Sequence, residues 1–285
     1  MKLVISGFAS LDYAVRLDRP SQADRTATIL SRPAEWPRLG GSPAYIAAAL
    51  AAEGATDAIP VTWIGDDSDG ETYLAALVAR GLSVAGVGRR PGRTPICILA
   101  YEPAGGCHCL YDPGLGAPAE LDDTQRALVA AADAVCLTIG PPEATREALR
   151  LVRLDAKVVW AVKADRRAAP PDLAAELAAR ADVIVHSRGE APFVAEALSA
   201  SPVTRDFLRI ETRGGDGVAA YRGETEQVFA VEPVDCDDTT GAGDTFLGGF
   251  LAAYLARGES SARAVETGAR AARQLLGARV VARKG

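Results

Sequence analysis

Apolar runs of strand length alternate with helical segments through the central part of this 285-residue chain. The predicted helices lie at 122–132, 143–151, 172–180 and 189–199. The predicted strands lie at 134–139, 157–162, 182–185 and 207–211. Strands that alternate with helices form right-handed βαβ units, so they lie parallel in a sheet that helices cover on both faces. The alternation therefore predicts an α/β fold with a mostly parallel central sheet.

The flanking segments extend this pattern and interrupt it in two places. Further elements are predicted as a strand at 3–6, a helix that begins with Ser42 as its N-cap, and helices at 71–80, 241–257 and 261–276. The interruptions lie at about 10–38 and 92–112. The second contains strand-like runs at 96–101 and 107–111, joined by a Pro-Ala-Gly-Gly turn. We expect both to form a small β-sheet lid on a single domain that covers 1–285.

Charge and composition exclude several classes of protein. The formal net charge is −6 and no block of Lys or Arg occurs, which argues against nucleic acid or an anionic membrane as a partner. No apolar run reaches the roughly 18 residues that a membrane-spanning helix requires. The five cysteines are an odd number and lie mostly in strand-like runs, a pattern typical of reduced thiols in the cytoplasm.

The run DTTGAGD, residues 238–244, is the motif that most directly indicates a chemical function. It places glycines at the start of an amphipathic helix, where the first amides have no intrahelical acceptor and the helix dipole is positive. Gly241 and Gly243 let the backbone approach a phosphoryl group closely. Asp244, in the same first turn, is suited to accept a proton from an attacking hydroxyl. Alternatively, Asp238 or Thr240 merely caps the helix and the glycines only form a tight entry.

Matching motifs elsewhere favour the first interpretation, and the chain resembles the ribokinase-like (PfkB) carbohydrate kinases over nearly its whole length. The signature near the C-terminus is DTTGAGDTFLGGF, and the Gly-Gly signature is LGGSPAYIAAAL at 39–50. In the family, an early strand ends in Gly and an Asp that contacts the sugar follows several residues later. The matching segment here is GFASLD, and its Asp is Asp12. The two turn motifs are GDDSDG at 65–70 and TRGGDG at 212–217.

This resemblance implies an α/β kinase with a β-sheet lid that uses ATP and Mg²⁺. Asp244 would be the general base, and the amides of Gly241, Ala242 and Gly243 would form the anion hole. The other implied site residues are Asp12, Gly40, Gly41 and Tyr45 for the substrate; Ser187, Thr212, Gly214, Gly217 and Gly243 for the nucleotide; Glu190 for Mg²⁺; and Asp238 and Thr240 for a monovalent cation such as K⁺.

Two substitutions depart from the family pattern. Tyr45 stands where the family commonly has Asn, and either its ring stacks on the substrate or it faces the core of its helix. Ser187 replaces the Asn of an N-x-x-E segment, while Glu190 is retained. Ribokinases proper often have an acidic residue that binds the sugar near the positions of Thr138 to Gly140. This chain has TIGPPE at 138–143, with no acidic residue before Glu143, which disfavours ribose itself as the substrate.

Several alternatives remain open from the sequence. A sugar kinase is the leading interpretation, a nucleoside kinase of the same fold is the nearest rival, and a non-catalytic sugar or nucleotide sensor is a third. Cys107, His108 and Cys109 suggest a metal site, but alternate side chains of a strand face opposite ways, so structural roles are favoured. Arg93 and Thr94 are candidate substrate contacts from above the pocket, and a solvated Arg93 is the favoured alternative. An exposed lid edge predicts a homodimer through the lid.

Overall fold

Alternating strands and helices account for most of the chain. A computed structural model describes residues 1–55, 57–103, 105–114, 120–201 and 205–284, and these form fourteen strands and eight α-helices. The strands are β1 (Leu3–Ser6), β2 (Ser10–Leu17), β3 (Ile29–Ser31), β4 (Arg38–Gly40), β5 (Ala58–Gly65), β6 (Gly86–Arg90), β7 (Ile96–Tyr101), β8 (Cys107–Asp112), β9 (Ala134–Leu137), β10 (Lys157–Ala161), β11 (Val183–Ser187), β12 (Leu208–Thr212), β13 (Val218–Arg222) and β14 (Thr225–Phe229).

The helices follow the predicted order along the chain. They are α1 (Ser42–Ala52), α2 (Ser68–Ala79), α3 (Asp123–Ala130), α4 (Pro142–Leu151), α5 (Pro171–Arg180), α6 (Ala191–Ala200), α7 (Ala242–Leu251) and α8 (Ser261–Lys284). A π-helical turn, Ala252–Ala256, continues α7. In the part of the chain that the structure describes, no helix is long and apolar enough to cross a membrane.

Nine strands form the central sheet, in the order β14-β13-β12-β11-β10-β9-β1-β5-β6. The strands from β12 to β6 run parallel, and β13 and β14 add an antiparallel edge. Side chains of β1 show the two-sided burial: Leu3 and Ile5 pack with α1, α2, α7 and α8, whereas Val4 packs with α3 to α6. The predicted α/β fold with helices on both faces is confirmed.

The smaller sheet contains β3, β2, β7 and β8 in that order, with β4 paired to β2. Its strands come from the two predicted segments, and a small cluster of Ala14, Cys97, Leu99 and Tyr101 forms its buried side. The predicted Pro-Ala-Gly-Gly turn includes Ala104, which lies outside the described residues. This second sheet is confirmed, and its action as a lid stays a prediction.

Element ends differ from the prediction where capping and tertiary pairing decide them. Gly41, with φ of 84°, is the N-cap of α1, so Ser42 is the first helical residue rather than the cap. Helix α2 begins before 71 because the Asp67 side chain accepts a hydrogen bond from the Gly70 amide at 2.8 Å. Helix α8 continues past 276 to Lys284. Strand β6 was not predicted, since Gly-Val-Gly-Arg-Arg has only one apolar side chain and is a strand only through its pairing with β5.

The topology brings the functional motifs to one edge of the sheet. Strands β1, β10, β11 and β12 are parallel, so the loops that follow them leave from the same side. Ligand sites of open α/β sheets lie at this carboxyl edge. The candidate site therefore lies where these loops meet the start of α7.

Candidate active site

Two helices begin at the centre of the site. Gly41 and Gly241 are the N-caps of α1 and α7, with φ of 84° and 76°, and in the described part of the chain no side chain caps either helix. The helices pack closely because Gly248 has no side chain: a Cβ there would lie 2.5 Å from the Ile46 carbonyl oxygen. Two positively polarised helix ends therefore face one region, which is suited to an anion.

Asp244 lies in the first turn of α7, where it receives a hydrogen bond from Ser42 of α1. Desolvation raises the pKa of its carboxyl above the ordinary value, although the Ser42 hydrogen bond and the positive charge of Lys163 act in the opposite direction. A carboxylate with a raised pKa holds a proton more readily. This property is compatible with the predicted general base, and that role stays a prediction.

The turn before α7 contains the residues of the predicted anion hole. Gly241 adopts the left-handed conformation, and a Cβ on it would lie 2.5 Å from the Tyr45 ring. A Cβ on Gly243 would meet no atom within 4 Å, so this residue borders open space. The Ala242 amide donates to the Thr239 carbonyl at 3.1 Å. The turn thus already uses one of the three predicted amides.

A buried cluster of charged side chains lies beside this turn. Asp12 is 3% exposed and accepts a hydrogen bond from Ser10 Oγ at 2.7 Å. Burial raises the pKa of Asp12, even though the Ser10 hydrogen bond and the charge of Arg38 oppose the shift. Arg38 Nε lies 4.0 Å from Asp12 Oδ2. Gly40 makes room for this carboxylate, since a Cβ at that position would lie 2.2 Å from Asp12 Oδ1.

Asp238 is the second acid of the cluster and is held by side chains from distant parts of the chain. Both of its carboxylate oxygens accept hydrogen bonds from Arg38, and Oδ1 also accepts one from the Tyr101 hydroxyl at 2.5 Å. Tyr101 hydrogen-bonds the Thr240 hydroxyl as well. Burial alone would raise the pKa of Asp238, but the Arg38 hydrogen bonds and the charges of Arg38 and Arg279 lower it.

Tyr45 lies against the turn rather than in the sheet core. Its ring contacts Gly241, and its hydroxyl lies 3.5 Å from Arg279 Nη2. Burial raises its pKa to about 12, so the phenol stays protonated. One face of the ring is used by Gly241, and whether Tyr45 contacts substrate stays a prediction.

The loop after β11 holds Glu190. One of its carboxylate oxygens accepts hydrogen bonds from the Ser187 amide at 2.7 Å and the Ser187 hydroxyl at 2.8 Å, while the other lies 3.9 Å from Lys163 Nζ. Ser187 therefore positions Glu190, and a direct nucleotide contact by Ser187 is untested. Arg188 joins this loop to the next one through an ion pair with Asp216 at 3.0 Å.

The next loop follows β12 and contains the predicted nucleotide residues. Thr212 donates a hydrogen bond to the His186 carbonyl at 3.4 Å. Gly214 and Gly217 have φ of 58° and 108°, and a Cβ on Gly217 would lie 2.3 Å from the Phe229 carbonyl oxygen. The glycines are thus required for the tight turn itself, and their contact with nucleotide stays a prediction.

Sequence reasoning missed five residues of the site. They are Arg38, Tyr101, Lys163, Arg279 and, in its contact with Asp244, Ser42. A usable signal existed only for Lys163, which follows the apolar strand β10 at the carboxyl edge of the sheet.

Arg93 and Thr94 are bonded to other residues of the protein. Thr94 is 2% exposed, and its hydroxyl donates to Asp67 at 2.6 Å and accepts from the Gly65 amide at 3.0 Å. Arg93 has an exposed side chain paired with Asp112 at 3.0 Å. Of the cysteines in the suggested metal site, Cys109 instead lies with its Sγ 3.1 Å from Cys97 Sγ, and no group of three or more His, Cys, Asp or Glu suited to a metal occurs among the described residues.

A mostly parallel sheet with two glycine-capped helix ends at its carboxyl edge is typical of α/β proteins that bind phosphate groups. The sequence profile of the pfkB family carbohydrate kinases matches residues 9–282. An ATP-dependent ribose-1-phosphate kinase from Halopiger xanaduensis is 31% identical over 266 residues, which cover 91% of this chain and 86% of that protein. A cytidine kinase from Thermococcus kodakarensis is 29% identical over 250 residues, which cover 83% of this chain and 87% of that protein.

The fold is shared with a solved ribokinase structure. The crystal structure of ribokinase from Cryptococcus neoformans var. grubii serotype A in complex with ADP superposes with a TM-score of 0.78 at 19% identity, covering 95% of this chain and 92% of that one. This chain belongs to the pfkB family of carbohydrate kinases. It is an ATP-dependent phosphotransferase that acts on a hydroxyl group, as the sequence predicted.

Proposed function

We propose that this kinase transfers the γ-phosphoryl group of ATP to a hydroxyl of a small carbohydrate, with Asp244 as the general base. The observation that carries this proposal is the position of Asp244: it lies where the glycine-capped ends of α1 and α7 meet, with a raised pKa. A base is useful at a site that also attracts phosphate, because the acceptor hydroxyl must lose its proton as it attacks.

The chemical step follows from this arrangement. The acceptor oxygen forms a bond to the γ-phosphorus, the bond from that phosphorus to the β–γ bridging oxygen breaks, and ADP leaves. The hydroxyl proton moves to Asp244. Charge on the transferred group would be met by the amides of Gly241, Ala242 and Gly243 at the start of α7. For Ala242 this requires release of its hydrogen bond to Thr239.

The nucleotide would lie along the loops after β11 and β12. Support comes from Thr212, Gly214 and Gly217 at the carboxyl edge of the sheet, with the tight turns of the glycines exposing backbone. Glu190 fits a role near Mg²⁺, since this ion is commonly bound through one or two carboxylates plus phosphates and water. When bound, Mg²⁺ neutralises charge on the phosphates. Ser187 keeps the Glu190 carboxylate in place for this role.

The substrate would be held on the other side of Asp244. Asp12 is a buried acceptor suited to a sugar hydroxyl, and Gly40, Gly41 and Tyr45 border the same region. Both relatives are named for ribosyl compounds that carry a group at C1: a phosphate in one, a base in the other. Ribosyl compounds substituted at C1 therefore rank above free ribose. A phosphorylated sugar such as ribose 1-phosphate is the first candidate, and a nucleoside is the second because one relative is a cytidine kinase.

An acceptor panel tests this assignment. ADP release would be measured with ATP, Mg²⁺ and equal concentrations of ribose, ribose 1-phosphate, cytidine, other nucleosides and common hexoses. We expect turnover with a C1-substituted ribosyl compound and a lower kcat/KM for ribose. The highest kcat/KM with a hexose would contradict the ribosyl assignment, and ligand binding without turnover of any acceptor would indicate a sensor. Asp244→Asn serves as the control for contaminating kinases.

We also propose a homodimer through the smaller sheet. Ile98 and Leu110 are paired across β7 and β8, and are 41% and 61% exposed. Exposed apolar neighbours of this kind are suited to contact with a second copy. Light scattering should give twice the monomer mass, and Leu110→Lys should give a monomer. A wild-type monomer at all concentrations would contradict the proposal.

A cytoplasmic location remains a proposal as well. Its support is that all five cysteines are free thiols, including Cys97 and Cys109 with their sulfur atoms 3.1 Å apart. Reduced thiols persist where glutathione and thioredoxin are present. Recovery of the native protein in the soluble cell fraction with all thiols reactive after denaturation would support it, and a disulfide in the freshly isolated protein would oppose it.

A further inference from the structure

The guanidinium of Arg279 occupies a group of oxygen atoms at the turn before α7. Its Nη1 donates to the Asp238 carbonyl at 2.9 Å, to Asp238 Oδ1 at 3.2 Å and to the Thr240 carbonyl at 2.6 Å. Asp238 and Thr240 are the residues that the family resemblance assigns to a monovalent cation. In this chain their oxygen atoms already surround a positive charge that belongs to the protein.

The charges of the cluster balance without an added ion. Arg38 and Arg279 contribute two positive charges, and Asp12 and Asp238 contribute two negative ones. The side chains of Arg38 and Arg279 are only 9% and 16% exposed, so solvent screens an excess charge weakly. A K⁺ ion placed beside Arg279 would face a like charge in a poorly solvated site, which is unfavourable.

The helix that carries Arg279 offers few carbonyl oxygens to a cation. Arg279 lies on α8, which is one continuous helix from Ser261 to Lys284. Carbonyl oxygens inside a helix accept hydrogen bonds from its own amides, so only the last turn has carbonyls available for a cation. The helix instead delivers one side chain to the turn, and that side chain also reaches the Tyr45 hydroxyl at 3.5 Å. The residues present therefore do not fit a K⁺ site.

We infer that the guanidinium of Arg279 takes the place of the monovalent cation, so that phosphoryl transfer by this kinase is independent of K⁺. Arg279 is a positioning residue: it fixes the carbonyls of Asp238 and Thr240, and thereby the turn that presents Gly241 and the first amides of α7. The inference rests on the proposed role of that turn in binding the transferred phosphoryl group. A guanidinium is suited to this because it is permanently charged and presents several donors in a fixed plane.

The test compares wild type with Arg279→Gln and Arg279→Lys in KCl and in choline chloride at equal ionic strength. Arg270→Gln is the matched control on the same helix, since Arg270 pairs with Glu53 on the surface. Two readouts are used: kcat with the best acceptor, and the thermal midpoint of the protein without substrate. The thermal readout keeps the test valid even if the acceptor or the role of Asp244 has been assigned wrongly.

For the wild type, and likewise for Arg270→Gln, we expect the kcat and the thermal midpoint in KCl to equal those in choline chloride. Arg279→Gln should lose on the order of tenfold to a hundredfold in kcat in choline, the loss expected for a charged hydrogen bond, and should recover part of the rate and gain a higher midpoint in KCl. Arg279→Lys should retain more activity than Arg279→Gln in choline because it keeps the charge.

Three results would overturn the inference. The first is a wild-type rate or midpoint that rises with K⁺. The second is an Arg279→Gln enzyme with the wild-type rate in choline. The third is a slow Arg279→Gln enzyme that K⁺ changes in neither readout, because that result assigns Arg279 a structural role unrelated to the charge of the turn.

Discussion

Asp238 and Asp244 stand at the two ends of one short motif, and the structure gives them opposite properties. Asp238 accepts hydrogen bonds from Arg38, Arg279 and Tyr101, which lower its pKa and keep it charged. Asp244 lies beside Ser42 in a half-buried position, and desolvation raises its pKa. The chemical role of each carboxyl is therefore set by neighbours far away in sequence. These opposite shifts suit the proposed roles, in which Asp238 anchors the turn and Asp244 takes up a proton.

The largest effect is expected from Asp244→Asn. The amide cannot accept the proton of the attacking hydroxyl, so kcat should fall by about 10²–10⁴-fold, the usual contribution of a general base. ATP affinity, measured by calorimetry, should change little. Because the folded state disfavours the charged Asp244 carboxylate, the variant should also unfold at a slightly higher temperature at neutral pH. A kcat near that of the wild type would contradict the assigned role.

Asp238→Asn should have the opposite effect on stability. It leaves Arg38 and Arg279 facing a neutral amide, and removal of one partner from a poorly solvated ion pair costs about 3 kcal/mol in the free energy of unfolding. Urea denaturation measures this loss. Asp237→Asn is the matched control, because the pair of Asp237 with Arg16 is exposed and should contribute less than about 1 kcal/mol. Equal losses in the two variants would show that the buried cluster is not an anchor.

The same contrast explains how far the sequence could predict the site. Asp244 and the glycines of the turn act through the start of their own helix, so a local motif reveals them. The partners of Asp238 come from β4, β7 and α8, at positions 38, 101 and 279. An isolated Arg in a strand or helix has no local pattern that distinguishes a buried partner from a solvated one. Arg279 also lies beyond the predicted end of its helix at 276.

The fold shows a similar division. Strands and helices between 122 and 211 were predictable because each has its own periodic pattern and its own turn residues. Strand β6 was not, since it depends on tertiary contacts: its pairing with β5 at the edge of the sheet and the hydrogen bond from the Gln125 side chain to the Gly86 carbonyl. The start of α2 depended on the Asp67 side chain, which also binds Thr94 and so joins the helix to the segment that precedes β7. Elements defined by tertiary contacts leave little trace in local sequence.

The turn between the two acids can be tested with a pair of glycine variants. Gly241→Ala places a Cβ 2.5 Å from the Tyr45 ring on a residue with φ of 76°, so we expect a loss of roughly 1–3 kcal/mol in the free energy of unfolding. Gly243→Ala is the control: its Cβ meets no atom within 4 Å, and the change should stay within about 0.5 kcal/mol. Urea denaturation of both variants gives the comparison. Similar losses in both would mean that contact with Tyr45 does not define the turn.

The opposite pKa shifts of Asp244 and Asp238 are tested most directly by the pH dependence of kcat/KM and of stability, where we expect the smallest effect. Asp244 must be deprotonated to act, so kcat/KM should fall as the pH drops through its raised pKa. Asp238 has a lowered pKa, so its contribution to stability persists to lower pH and is lost only when the pH falls through that lower value. A range of acidic pH should therefore exist in which the enzyme is folded but slow, and in which the rate returns on neutralisation. Thermal midpoints recorded over the same range provide the control. If the fall in kcat/KM coincides with unfolding, or if the residual rate of Asp244→Asn shows the same acidic fall, the raised pKa does not belong to the catalytic base.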